Sequence, residues 1–240
     1  LVAARLADPA QVVTAQVVHH WFGTDQLGRD VFDRVVHGAR HSLSIGVAAT
    51  VIAVGAGILL GLIAGLAHRI ADEALSRGFD ALAAFPLVLL ALLFIAIAGT
   101  GTTSLIVAIG IATTPHHARV VRAQTLVVRQ AAYVTHAVAF GESRVRLVLR
   151  HVLPNVLGPI PVLAMIGLGE AVLIAAGLSF LGLGPQPPSP EWGAMLSEGR
   201  GYLHIAWWAS VLPGTAVTAT VISLTVIGRY LQNRFEGRQQ

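Results

Sequence analysis

Charged residues in this chain sit in short patches between long apolar runs, and the lengths of those runs are informative. A helix needs about 20 apolar residues to cross the hydrocarbon core of a bilayer. Residues 42–66 are free of charge and bracketed by Arg40 and Arg69, which predicts a first span. No Asp, Glu or Arg occurs between Ala81 and Ala118, a stretch too long for one crossing. The polar run 99–104 divides it into predicted spans at 81–98 and 105–122. A fourth span is expected at 156–183, interrupted only by Glu170, and a fifth at 206–228. Helix is the reading that lipid allows, because an open strand would leave its backbone polar groups unpaired there. Gly57, Gly61 and Gly65 recur at the spacing that lets two helix backbones approach closely. Pro115, with His116 and His117, marks an irregularity in the third span, while Pro86 and Pro213 mark kinks.

Composition agrees with this pattern. Of 240 residues, 55% are hydrophobic and 12% charged, about half the charge of a soluble domain. The fold class is therefore an all-α polytopic membrane protein. With no cysteine, disulfide scaffolds, thiol catalysis and cysteine metal sites are excluded. All 16 basic residues are arginine, which removes Schiff-base lysine chemistry and any phosphate loop ending in lysine. The net charge of +4 reads as the positive-inside bias, so no nucleic acid partner is expected. Six arginines fall in 119–151 and three in 229–240, which places both segments in the cytoplasm. Segments 184–205, 99–104 and 1–41 then face outside and 67–80 inside. An outside start with no signal-peptide pattern predicts an upstream membrane helix, giving six spans with both ends inside. The adjacent pairs His19-His20 and His116-His117 diverge on any regular backbone, and no metal site is expected.

The loop 123–155 is long and patterned. Tyr133 to Phe140 predicts a short helix ended by Gly141 in a left-handed cap. After Ser143, an N-cap residue, Val145, Val148, Leu149 and Val152 form an apolar stripe, with Arg144, Arg146 and Arg150 off it. Pro154 predicts a break before the next span. Such a knob is either a surface element whose arginines meet lipid headgroups or a docking element for another protein. The pattern alone leaves both open.

The stretch Tyr133-Val134-Thr135-His136-Ala137-Val138-Ala139-Phe140-Gly141, followed by Arg150-His151-Val152-Leu153-Pro154-Asn155, resembles the cytoplasmic signature loop of ABC importer permeases. Two further blocks resemble the dipeptide, oligopeptide and nickel branch of that family. One is Gly23-Thr24-Asp25-Gln26-Leu27-Gly28-Arg29-Asp30, with Gly38, Ala39, Arg40 and Ser42 behind it. The other is Leu178-Ser179-Phe180-Leu181-Gly182-Leu183-Gly184, leading through Pro187, Pro188 and Pro190 to Glu191-Trp192-Gly193. The chain departs from the family pattern at Ala132, where an acid is usual, and at His136, where alanine is usual. Its nearest acid before the Leu178 block is Glu170, a turn earlier than in relatives, and Thr225, Gly228 and Arg229 replace the usual C-terminal pattern.

The resemblance implies an ABC importer permease bundle with one more helix before the first block. It divides the chain into an external segment 1–41, a transmembrane permease domain 42–231 and a cytoplasmic tail 232–240, with an external loop at 184–205. It implies half of a channel, paired with a second permease subunit as a heterodimer in a bacterial inner membrane. One or two cytoplasmic ATP-binding subunits, an extracytoplasmic peptide-binding protein and membrane lipid are the expected partners. ATP and Mg belong to the ATPase partners, so this chain is expected to bind no cofactor and to carry no catalytic residue. The loop 123–155 becomes the coupling element, through Tyr133, His136, Ala137, Ala139, Gly141, Glu142, Ser143, Arg150, His151, Leu153 and Pro154. Glu170 is the acid inside a span, where an unpaired charge is costly. It is expected in the translocation pathway with Pro86, His116 and His117, or else paired with an arginine of a partner chain. Gly23, Thr24, Asp25, Gly28, Arg29, Asp30, Glu191 and Trp192 are expected at an external docking or packing surface. Alternatives are a nickel or other small-solute importer, a self-contained secondary transporter or channel coupled through Glu170, and a plain membrane anchor.

Overall fold

The structure is a computed structural model that describes residues 22–236; the His19-His20 pair lies outside the described residues. Among the described residues the backbone is helical, with one isolated antiparallel bridge between Thr24 and Asp30. Helix α1 spans Val31–Leu66, capped by the Asp30 carboxylate, which accepts from the Asp33 N–H. It begins ahead of the charge-free run, because Asp33, Arg34 and Arg40 extend it beyond the apolar stretch and its outer end packs on protein.

The expected span at 81–98 is not one helix. Helix α2, Arg69–Ala83, and helix α3, Leu87–Ala98, meet at 91° across Ala84–Pro86. Pro86 brings no N–H and holds an extended backbone, so the helix cannot continue through it. At 12 residues, α3 alone reaches only about 18 Å. Helix α4, Thr102–Val128, runs through a buried Pro115, with the Thr113 and Thr114 hydroxyls bonded to carbonyls one turn back. Helices α1, α8 (Ile160–Phe180) and α10 (Trp208–Glu236) are each long and apolar enough to cross a membrane, and the bent α2–α3 pair meets that test only when its two arms are counted as one broken span. Helix α10 runs past the expected span at 206–228 into the region expected as a tail.

Helices α1 and α4 run parallel in close contact. Gly57 faces His117 and Ala118, Gly61 faces Val121, and Gly65 faces Thr125. A Cβ on Gly61 would stand 2.6 Å from the Ala118 carbonyl oxygen, nearer than real Cβ atoms approach. The glycine spacing read from the sequence thus finds its partner in α4. A central apolar core joins Ile45 of α1, Leu90 and Ile95 of α3, Leu105 and Ile109 of α4, and Leu178 of α8.

At the end expected to face the cytoplasm, the inner end, α5 (Ala132–Ala139) and α6 (Arg144–Leu147) are followed by a π-helical turn over Val148–Val152 and then α7 (Leu153–Val156). Pro154 was expected to break the chain but sits inside this run. The wider π turn before it takes up the missing N–H and the ring's clash with the preceding turn, and the break falls instead at 157–159. A short outer helix, α9 (Trp192–Gly199), packs on the other end of the bundle.

Candidate functional site

Two polar ends of the bundle hold nearly all the residues singled out by sequence. At the inner end, α5 is closed as expected by Gly141, whose φ of 77° is the left-handed conformation. The Glu142 N–H donates to the Ala137 carbonyl at 3.1 Å and the Gly141 N–H to that of Val138 at 3.0 Å, which is the paired bonding of a Schellman cap. The Glu142 carboxylate then meets His151 Nε2 at 2.8 Å, tying the end of α5 to the π turn. Ser143 occupies the N-cap position of α6 without a side-chain cap bond. Val134 is the buried anchor of α5, in a cluster with Val121, Val128, Val152, Val156 and Ile160.

The rest of this knob faces outward. Phe140 is 88% exposed, and Tyr133 and Val138 are exposed beside it. His136 and Ala139 are exposed and Ala137 is half-buried. Of the apolar stripe, Val152 is buried and Val148 half-buried, whereas Val145 is 70% and Leu149 60% exposed, the π turn having changed the register of the segment. Arg150 and Pro154 are exposed, whereas Leu153 is half-buried.

At the outer end, the block 23–30 folds into a turn with Gly23 and Gly28 both at positive φ. Asp25 accepts from the Leu27 and Arg29 N–H groups at 2.9 and 3.0 Å and from Arg29 Nε at 2.7 Å. Arg34 Nη1 bridges Asp25 and Glu198, at 2.7 and 2.9 Å, so α1 is fastened to α9. Burial pushes the Asp25 carboxyl up, but the Arg29 and Leu27 donors outweigh it and hold it below the ordinary 3.8. Trp208 Nε1 donates to the Thr24 carbonyl at 3.0 Å, with its ring over Gly23 where a side chain would collide.

Glu191 is fully buried. It caps α9 by accepting from the Gly193 and Ala194 N–H groups, each at 2.9 Å, and it takes the Ser42 hydroxyl proton at 3.2 Å. Trp192 donates from its backbone to Ser42 Oγ and from its indole to the Val35 carbonyl. These groups bind the outer corner to itself, and Glu191 offers no surface to a partner. Sequence reasoning missed Arg34 and Glu198, which pair across 164 residues of chain.

Between the two ends, His117 is buried at the α1–α4–α8 crossing, with Nδ1 on the Thr113 carbonyl at 3.1 Å. Its Nε2 has no hydrogen-bond partner and faces Gly167, one turn before Glu170. Glu170 is exposed on α8, one turn beyond Gly167. His116 points outward, edge-on to His117 at 5.7 Å, and Pro86 lies at the exposed α2–α3 elbow. Among the described residues no three His, Asp or Glu side chains gather as metal ligands.

A second charged group, unforeseen from sequence, lies at the inner end. Arg122 grips Asp72 through Nε at 2.5 Å and Nη2 at 2.8 Å, and Arg119 Nη2 meets Asp80 at 2.7 Å.

The bundle thus carries a capped, exposed apolar knob at one end and an inward-bonded polar corner at the other. The chain belongs to the family of binding-protein-dependent transport system inner membrane components, which it matches over residues 57–240. It is 40% identical over 233 residues to the dipeptide transport system permease protein DppC of Alkalihalophilus pseudofirmus, covering 97% of this chain and 77% of that protein. It is also 40% identical over 217 residues to the glutathione transport system permease protein GsiD of Pectobacterium atrosepticum, covering 90% of this chain and 72% of that one. Among solved structures it superposes on a chain of the MetNI methionine ABC transporter in an inward-facing conformation, with a TM-score of 0.66 at 18% identity. That match covers 84% of this chain and 96% of the solved one. The protein is thus the permease component of an ABC importer, an inner-membrane transport subunit that works with ATPase and binding-protein partners.

Proposed function

We propose that this chain forms half of the translocation pathway of a di- or oligopeptide importer, beside a second, different permease subunit, with one or two ATP-binding subunits below. Its loop 123–155 is the coupling element, and the observation that carries this is the exposure of Phe140, Val138 and Tyr133 on a helix held rigid by Gly141 and anchored by Val134. Large apolar side chains fixed in water on a stiff element are the composition of a docking surface. No ATP is hydrolysed by this chain; closure of the ATPase dimer moves the knob and biases the bundle between its two open states. Peptide cargo is supported by the small-peptide names of relatives at about 40% identity. Glu170, on the open face of α8, is the pathway residue for a protonated amino group.

Reconstitution tests this reading. The subunit should copurify with ATPase subunits, and dipeptide uptake into proteoliposomes should require ATP and a binding protein. Uptake by the subunit alone, without ATP, would remove both the importer and the coupling role. The peptide retained by the copurifying binding protein identifies the cargo.

A further inference from the structure

The bent element α2–α3 is fastened to α4 at both ends, by different chemistry. At the outer end α3 is held by apolar packing, with Leu90, Ala91 and Ile95 buried against Leu105, Ala108 and Ile109. At the inner end α2 buries only Phe79, in a small cluster with Ala64 and Ala118. Beside it lies an open groove of about 450 Å³ walled by Arg69, Asp72, Glu73, Asp80 and Arg122, with Asp72 and Arg122 ion-paired at its wall; Asp80 also pairs with Arg119, at a more exposed position. Both arginines lie in the last turns of α4, which runs directly into the loop 123–155. Between the two fastenings is the elbow at Ala84–Pro86, where Pro86 interrupts the helical hydrogen bonds and Phe85 is 60% exposed.

We propose that Asp72 and Asp80 are positioning residues that make α2 follow α4, so that movement of the coupling loop is delivered to the Ala84–Pro86 elbow. Apolar packing at α3 resists displacement because any slide opens voids. Ion pairs beside an open groove, with only the small Phe79 cluster behind them, instead hold direction and distance while allowing a pivot. When the knob moves, the inner end of α4 carries α2 with it, α3 stays, and the angle at the elbow changes. Phe85, at the apex, is the side chain displaced most. This rests on the coupling role proposed for the loop.

The chain has no cysteine, so Phe85→Cys introduces its only thiol, to be probed with a membrane-impermeant maleimide in nanodiscs holding the full transporter with cysteine-free partners. The labelling rate should differ about fivefold or more between the nucleotide-free and the ATP–vanadate-trapped complex, the low end of ordinary coupling. Adding Asp72→Asn and Asp80→Asn should abolish that difference while the ATPase subunits still copurify. Exchanging the charges, Asp72→Arg with Arg122→Asp, should restore it where Arg122→Asp alone does not. A rate that does not change with state, or a change that survives Asp72→Asn/Asp80→Asn, overturns the proposal. If that double variant does not assemble, failure of the charge exchange to restore the difference overturns it. The thiol of Phe140→Cys, measured separately, reports loop docking: its protection by the ATPase subunits must hold for either result to concern α2 rather than the loop.

Discussion

The outer corner and the inner knob are built from similar short helices, yet they treat their polar and apolar atoms in opposite ways. In the corner, the Asp25, Arg34, Glu191 and Glu198 side chains turn inward and bind one another or backbone amides. In the knob, the apolar side chains Phe140, Val145 and Leu149 face outward and the charged groups make few bonds. A region that turns its charged groups onto one another holds a shape; a region that leaves its apolar surface open is the one suited to be completed by another protein. The contrast separates stability from coupling within one chain, and it can be broken experimentally from either side.

The largest effect on stability is expected at the corner. Glu191→Ala removes the cap of α9 and strands buried donors on Gly193, Ala194 and Ser42, costing about 2–4 kcal/mol. A lowered thermal midpoint in detergent reports it, with uptake falling only in step with the folded fraction. Phe140→Asp should do the reverse: ATP-driven uptake falls by more than about tenfold, while the melting midpoint stays put, as expected for an exposed substitution. Smaller is Gly141→Ala, which meets no neighbouring atom but forces a Cβ into left-handed backbone, for about 1 kcal/mol. Gly141→Asn should recover most of the lost coupling, because asparagine tolerates that conformation. A Gly141→Ala variant that transports normally would mean the cap need not be rigid.

The smallest expected effect is of pH. The Asp25 carboxyl is held below the ordinary 3.8 in the folded corner, so its stabilisation is complete above that value and is lost as pH falls through the lower, folded one. Hydrogen-exchange protection at the Leu27 and Arg29 amides, corrected for the intrinsic pH dependence of exchange, should therefore be flat from neutral to mildly acid pH and fall only in stronger acid. A loss of protection near pH 6 would assign the corner's stability to other groups.

How much of this was legible follows from what each signal depends on. The spacing of Gly57, Gly61 and Gly65 depends on local geometry, and the structure pairs those glycines with α4 as the spacing suggested. Gly141 ended α5 for the same reason, because a positive φ is a demand made at one position. The elbow at Pro86 was partly legible: a kink was written in the proline, but whether the chain bends slightly or by 91° depends on what α3 packs against. The apolar stripe from Val145 to Val152 is split between buried and exposed positions, because its spacing assumed ideal α periodicity and the π turn before Pro154 changes the register. Arg34–Glu198 and Arg122–Asp72 are separated widely in sequence. No periodicity connects such partners; only the approach of α1 to α9, and of α2 to α4, brings them together.

The glycine ladder between α1 and α4 has a consequence for how this gene can vary. Glycine has no smaller neighbour, so every missense change at Gly57, Gly61 or Gly65 adds atoms where a Cβ already meets His117, Val121 or Thr125 closer than contact distance. The three codons have no direction in which to drift. At Gly61 the nearest atom is the Ala118 carbonyl oxygen, which no side-chain change on α4 removes, whereas Gly65 meets Thr125 side-chain atoms first. Matched variation across the two helices should therefore be confined to the Gly65–Thr125 pair, with Gly61 held fixed.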